Sequence, residues 1–183
     1  MKLNDAIIFA TNAHSGQKRK GKNTPFIVHP LNALVVASSI TDDEEVLCAS
    51  VLHDTVEDTP ITVEEIEQKF GKRVADLVMS DSEDKMRHLS EESSWKLRKQ
   101  ATLDSLERAT YDEKIICLSD KLANVRELAK DYADLGEKLW ERFNQKDKKM
   151  HGWYYLGVAE RLTELNDTLA YKEYLYLCNK VFN

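Results

Sequence analysis

No stretch of this 183-residue chain alternates apolar and polar residues over the length of a strand, so a sheet-based fold is not expected. Nor is there a long apolar run. The N-terminal segment MKLNDAIIFATNAHS is broken by Asp5, and neither a signal peptide nor a transmembrane span is expected. Cysteine is scarce: Cys48, Cys117 and Cys178 lie scattered among apolar residues and read as reduced core filler, the usage of a cytoplasmic protein. A basic excess is absent as well. The net charge of −6 argues against a general nucleic-acid binder, yet leaves room for a local basic pocket that takes a small anionic ligand. No repeat, low-complexity tract or interdomain linker is present. The length suits one domain over 1–183, a core of about 1–130 followed by C-terminal helices over about 131–183.

What the chain does have is helix signals, and they predict an all-α helical bundle. Ala6, Ile7, Ala10 and Ala13 form the stripe of a first helix. Residues 15–28 are basic and contain glycine, the composition of a loop. Pro30 suits the first position of a second helix, with Leu31, Leu34, Val35 and Ile40 facing inward, and a residue before proline, His29, is biased away from helix. Thr41-Asp42-Asp43-Glu44 and Thr62-Val63-Glu64-Glu65 have the capping-box pattern, the second helix being stopped by Gly71. A short helix over 72–80, a polar loop over 81–94 and a helix over 95–108 follow. Thr110-Tyr111-Asp112-Glu113 caps a long helix carrying Ile115, Ile116, Leu118, Leu122 and Val125. Two or three helices with Trp140, Trp153, Tyr154 and Tyr155 fill the remainder.

The chemistry concentrates in Leu52-His53-Asp54-Thr55-Val56-Glu57-Asp58-Thr59. Residues four apart on a helix share a face, so His53 can lie beside Glu57, and Asp54 beside Asp58. An apolar segment thus ends in three carboxylates and an imidazole, a cluster whose repulsion a divalent cation would relieve. His29, in Phe26-Ile27-Val28-His29-Pro30, and Asp120, in Cys117-Leu118-Ser119-Asp120-Lys121-Leu122-Ala123-Asn124, complete the set. His29 alone would read as a loop histidine packed beside a helix start. Asp120 interrupts an apolar helix face, where an unpaired carboxylate is costly. His29, His53, Asp54 and Asp120 make a mixed nitrogen and oxygen donor set, suited to a six-coordinate metal with open positions rather than to a closed structural zinc site. Glu57 and Asp58 follow one turn later and are not needed as ligands. They are the candidates for holding a water and accepting its proton, against the plain alternative of a solvated helix end. His14, His88 and His151 lack partner spacing for a metal.

HDTVEDT, the preceding TPFIVHP, the basic Arg19-Lys20 and the later SDKLAN resemble the HD superfamily of metal-dependent phosphohydrolases. Within it, they are similar to the small alarmone hydrolases and to the hydrolase domain of the long Rel/Spo-type stringent-response enzymes. The resemblance covers residues 1–130 well and the rest loosely. It implies an Mn²⁺-dependent enzyme that removes the 3′-pyrophosphate of guanosine 3′,5′-bis(diphosphate), and of its 5′-triphosphate form, to give GDP or GTP and pyrophosphate. It implies that Arg19 and Lys20 hold the pyrophosphate, where a charge run would otherwise be solvated surface, and that Asn124 lies close to the nucleotide. Tyr154 or Trp153 could stack a purine, although an aromatic residue on a late helix is as often core. Ser82-Glu83-Asp84-Lys85 looks like an acidic-lysine segment of the family that closes over the pocket. Extra residues around 131–149 and the altered segment after Ser82 depart from the family and could border the base pocket. A chain of this length has no room for a second, synthetic domain, so degradation alone is expected. The alternatives are an HD phosphohydrolase of another nucleotide, such as an adenine alarmone or a phosphorylated cofactor, and a metal-containing nucleotide-binding module without turnover. Neither a nucleic-acid nor a membrane partner is expected; monomer and homo-oligomer are both compatible with the sequence.

Overall fold

The computed structural model describes residues 2–83, 86 and 90–183, with 91–93 described by backbone alone. The expected Asp84-Lys85 pair and His88 lie outside the described residues. Among the described residues ten α-helices run in order: α1 Lys2–Ala13, α2 Val28–Ser38, α3 Glu44–Leu52, α4 Thr55–Asp58, α5 Val63–Phe70, α6 Lys72–Asp81, α7 Glu91–Leu106, α8 Tyr111–Leu135, α9 Lys148–Arg161 and α10 Leu169–Phe182. Two 3-10 segments, Gly136–Arg142 and Thr163–Leu165, join the last of them. Among the described residues no strand forms; an isolated antiparallel bridge pairs Lys18 with Pro25. The fold is an all-α bundle.

Local chemistry sets most of the boundaries. Thr62 and Thr110 each close a capping box, with Glu65 and Glu113 reaching back to the cap residue. Gly71 ends α5 at φ 98°, a conformation that side-chain-bearing residues rarely adopt. Three expectations are corrected. The cap of α3 is Asp43, whose Oδ1 accepts from the backbone N of Glu45 (2.9 Å) and Val46 (3.4 Å), while Thr41 orders the preceding turn by accepting from Asp43 N. Helix α2 begins at Val28, so His29 is helical despite preceding Pro30; a first-turn proline removes an N–H that has no helical partner anyway. Val35 points to solvent at 64% exposed, and the buried stripe of α2 is Ala33, Val36 and Ala37. Small side chains there let α2 lie close to both α3 and α8, against which it packs. A fourth difference is that α7 starts at Glu91, ahead of the expected 95.

Helix α8 is the axis of the bundle, packed by α2, α3, α6 and α10. Ile115, Ile116, Leu118, Leu122 and Val125 along it are buried, and truncating such a leucine costs on the order of 2–5 kcal/mol. All three cysteines are free and buried, and burial pushes the Cys48 thiol up to about 11, which leaves it an inert core residue. A smaller apolar cluster of Leu128, Leu139, Trp140 and Val181 pins the segment after α8 beneath α10. The contacts that place the site are those among α2, α3 and α8, whose polar interruptions meet where the three helices converge.

Candidate active site

The metal-candidate side chains come from three places in the fold. His29 sits in the first turn of α2, and Asp120 in the buried middle of α8. His53 and Asp54 occupy the junction between α3 and α4, so the single helix assumed for His53 through Asp58 is in fact two, with the dyad at the break. Both dyad residues keep right-handed helical backbone angles, and Asp58 N still donates to Asp54 O at 2.9 Å. His53 Nδ1 donates to the Ser50 carbonyl at 2.8 Å. A carbonyl can only accept, so Nδ1 carries the hydrogen and Nε2 is the ring nitrogen available to a ligand.

That Nε2 faces His29 Nε2 at 3.2 Å, Asp54 Oδ2 at 3.1 Å and Asp120 Oδ1 at 3.6 Å. His29 Nε2 lies 2.9 Å from Asp120 Oδ1 and 3.4 Å from Asp54 Oδ2. Ligand atoms bound at about 2.1 Å to one octahedral ion lie about 3 Å from their neighbours. The five separations, 2.9 to 3.6 Å, are those of atoms arranged around one ion. Among the described residues His29, His53 and Asp120 have donor atoms all within 4.8 Å of one another, and Asp54 joins them through the two histidines. The donor set and its spacing fit a divalent cation.

The buried acids of the cluster favour positive charge beside them. Burial opposes charge on His53, but Asp54 and Asp120 more than offset it and hold the imidazole pKa well above its ordinary value. Burial likewise opposes charge on Asp54, yet the two histidines bring it down to about 2. Asp120 is held far below the carboxylate range despite its burial, chiefly by Lys121, which is in contact with it, and by the histidines. Asn124 Nδ2 adds a hydrogen bond to Asp120 Oδ1 at 2.6 Å. Behind them Asp81, buried and facing Lys121 at 3.7 Å, is pushed up to about 6 by burial.

A cavity of about 200 Å³ opens over the cluster. Its walls include His29, Asp54 and Asp120 together with Glu57, Asp58, Arg19, Asn124 and Tyr154. His53 lies behind the wall, 2% exposed. Lys20 lines the adjoining cavities rather than this one. Glu57 Oε2 accepts from the backbone N of Glu83 at 3.1 Å, which ties α4 to the end of α6. Trp153 packs against Trp95. The cavity also presents Lys99, Thr102 and Lys121, to which the sequence alone assigns no role. One signal for Lys99 was available: it falls on the stripe Trp95, Lys99, Leu103, Leu106, at helical spacing, where an otherwise buried face carries one cation.

The basic loop is fastened to α8. Arg19 donates from Nε and Nη2 to Glu127 Oε2 (3.0 and 2.7 Å) and from Nη2 to Asn124 Oδ1 (2.8 Å). Its guanidinium also sits 5.5 Å from the Phe26 ring centroid. Lys22 pairs with Glu127 and Asp131, each at 2.7 Å, and Arg142 reaches Asp131 at 2.9 Å. Beyond Arg19 and Asn124 lies a neighbouring cavity of about 230 Å³, walled by Leu128, Phe143 and Tyr155. The departing segment after α8 therefore supplies Arg142 and Phe143 to this second cavity.

The arrangement is that of a helical phosphohydrolase with a His/His-Asp/Asp centre. The HD-domain family profile matches residues 6–147, and the chain belongs to the HD-domain family. It is 36% identical over 130 residues to the guanosine-3′,5′-bis(diphosphate) 3′-pyrophosphohydrolase MESH1 of Danio rerio, a match covering 69% of this chain and 68% of that protein. It is 38% identical over 127 residues to the guanosine-3′,5′-bis(diphosphate) 3′-pyrophosphohydrolase of Aquifex aeolicus, covering 67% of this chain but only 17% of that much longer protein. A solved structure of a metazoan ortholog of SpoT, described as hydrolysing ppGpp, superposes with a TM-score of 0.78 at 25% identity over 98% of this chain and 94% of that one.

Proposed function

We propose that this chain hydrolyses guanosine 3′,5′-bis(diphosphate) and its 5′-triphosphate form at the 3′-pyrophosphate, giving GDP or GTP and pyrophosphate. The observation that carries the reading is the convergence of His29, His53 and Asp120, with Asp54 beside both histidines, at a cavity that also holds Glu57, Asp58 and several cations. The names of the relatives support the substrate. Residues 1–183 act as one HD-type phosphohydrolase domain.

His29, His53, Asp54 and Asp120 would hold the metal, proposed as Mn²⁺; when bound, such an ion makes water more acidic and screens phosphate charge. Glu57 and Asp58 are the proposed proton acceptors for the attacking water, because they line the same cavity and are not part of the ligand cluster. As water attacks the phosphorus bonded to the 3′ oxygen, that P–O bond breaks, and the proton taken from the water by the carboxylate passes to the leaving oxygen, which departs as the 3′ hydroxyl. Arg19, fixed by Glu127 and Asn124, supplies a planar donor for the pyrophosphate at the cavity edge, with Lys20 adding charge from the adjoining cavity. Asn124 bridges Asp120 and Arg19 and so couples the metal cluster to the phosphate side. Tyr154 closes the cavity beneath Lys99, whose ammonium is 4.8 Å from its ring centroid. No described helix is long and apolar enough to cross a membrane, and the buried free cysteines support a cytoplasmic setting.

The test is a nucleotide panel assayed with purified, Mn²⁺-loaded protein, guanine and adenine forms side by side, scoring pyrophosphate separately from phosphate. Pyrophosphate release from the guanine 3′-pyrophosphates supports the reading. Preference for an adenine nucleotide or a phosphorylated cofactor replaces the substrate. Binding without turnover replaces the enzyme with a nucleotide-binding module.

A further inference from the structure

Helix α4 carries both proposed proton-accepting carboxylates yet has only four residues, Thr55–Asp58. A helix that short cannot satisfy its own last carbonyls, and its orientation must be imposed from outside. One restraint is local: Thr59 Oγ1 donates to Thr55 O at 2.6 Å. Another crosses the fold. Gln17, in the basic loop, donates from Nε2 to the backbone carbonyl of Asp58 at 2.8 Å.

The other end of the Gln17 amide is equally determined. The Asp58 carbonyl can only accept, so the NH₂ group points at it and Oε1 points the other way, toward His14 Nδ1 at 2.8 Å. His14 must therefore carry its hydrogen on Nδ1. The ring is buried, 2% exposed, and lies against Phe26 with centroids 4.7 Å apart. Phe26 in turn meets the edge of His29 at 6.0 Å and lies under the Arg19 guanidinium. The Phe26 backbone N donates to the Gln17 carbonyl at 3.0 Å, which fixes the glutamine main chain as well. A buried imidazole that pins a glutamine amide, which in turn grips one carbonyl of a four-residue helix, is a relay with a defined direction.

We propose that Gln17 is a positioning residue for the α4 carboxylates, oriented by His14, and that the His14–Gln17–Asp58 chain sets where Glu57 and Asp58 stand in the cavity. This rests on the reading of those carboxylates as proton acceptors. Gln17 and His14 act through Asp58 rather than on the substrate, so losing them misplaces a group and removes none. Misplacement by an ångström can cost on the order of 100-fold in rate.

The test uses the full chain and four variants: Gln17→Met, which keeps the length and removes the donor; His14→Leu; His14→Asn, whose amide can donate where Nδ1 does; and the double variant His14→Leu/Gln17→Met. Measured together are kcat, KM, Mn²⁺ affinity and amide hydrogen exchange over α4. Gln17→Met is expected to lower kcat by about 10–100-fold, leave KM and metal affinity near wild type, and speed α4 exchange. His14→Asn should recover most of what His14→Leu loses. The double variant should be no worse than Gln17→Met, because both changes cut one chain. Wild-type kcat in Gln17→Met, equal losses in the two His14 variants, or additive losses in the double variant each overturn the proposal. Unchanged α4 exchange in Gln17→Met overturns it too, and that reading needs no substrate. If instead Glu57→Gln and Asp58→Asn both keep wild-type kcat, the proton-acceptor assignment itself fails, and the positioning role falls with it.

Discussion

The metal cluster and the phosphate rim differ in how they are held. At the cluster, the two histidines from α2 and the α3–α4 junction lie 3.2 Å apart at Nε2 and 2.9–3.6 Å from carboxylate oxygens of Asp54 and Asp120. At the rim, Arg19, Lys22 and Arg142 come from loop and 3-10 segments and are tied to Glu127 and Asp131 along the outer half of α8. The cluster sits on helices that pack against one another in the core. The rim is fixed by ion pairs, and those pairs already use the positive charges that an anionic substrate would meet. One helix serves both: Asp120 faces inward, Asn124 bridges, and Glu127 and Asp131 hold the loop, at successive turns of α8.

The sharpest way to break the cluster is Asp120→Ala, which removes one ligand candidate and the counter-charge of His53. The account expects loss of stoichiometric Mn²⁺ by elemental analysis, together with loss of measurable turnover, while helical circular dichroism persists. Retention of both metal and activity would remove Asp120 from the centre. Next in size, Glu57→Gln and Asp58→Asn should keep the metal and lower kcat by about 10²–10⁴-fold, the range for a positioned acid or base. Metal content and kcat measured on the same samples separate this outcome from ligand loss. At the rim, Arg19→Ala is expected to raise KM for the 3′-pyrophosphorylated nucleotide by about ten-fold or more, since a charge-assisted hydrogen bond contributes roughly 1.5–3 kcal/mol. The preference between guanine and adenine should survive, because the residue would touch phosphate alone; a KM within error would show the rim to be only surface.

A third region calibrates both. Arg73 bonds Asp43, Glu45 and Asp112 on the surface, far from neither charge nor helix ends but outside both cavities. Its hydrogen bonds hold Asp43 and Glu45 below the usual carboxylate range. Depressed carboxylate values stabilise the fold above the unfolded-state pKa, and the contribution disappears as pH falls through the folded values. Arg73→Ala should therefore destabilise by no more than about 1 kcal/mol near neutral pH, narrow the gap to wild type in acid, and leave kcat unchanged. Denaturant titrations at two pH values check it.

The cluster was legible in the sequence because its residue types are expensive to bury and fall inside apolar runs: Asp120 between Leu118 and Leu122, His53-Asp54 after Val51-Leu52. The capping boxes at Thr62 and Thr110 were legible because they depend on residues three apart. The break at the dyad was not, since both residues keep helical angles and only the chain path separates α3 from α4. The inward face of α2 was misjudged because hydrophobicity favoured Val35, whereas close helix packing selected Ala33 and Ala37. The rim was the least legible. Arg19 and Glu127 lie 108 positions apart, and no local spacing announces that pairing. Lys99 stood on a readable stripe, but its arrival at the cavity depends on how α7 packs against α9.

The most direct test of the central claim is ³¹P NMR of the products formed from guanosine 3′,5′-bis(diphosphate) by metal-stripped protein and by the same protein after Mn²⁺ is restored. The account expects no reaction from the stripped sample, and from the restored sample GDP and pyrophosphate in equal amounts with no orthophosphate. Turnover that ignores the metal, or orthophosphate as the first product, would contradict it.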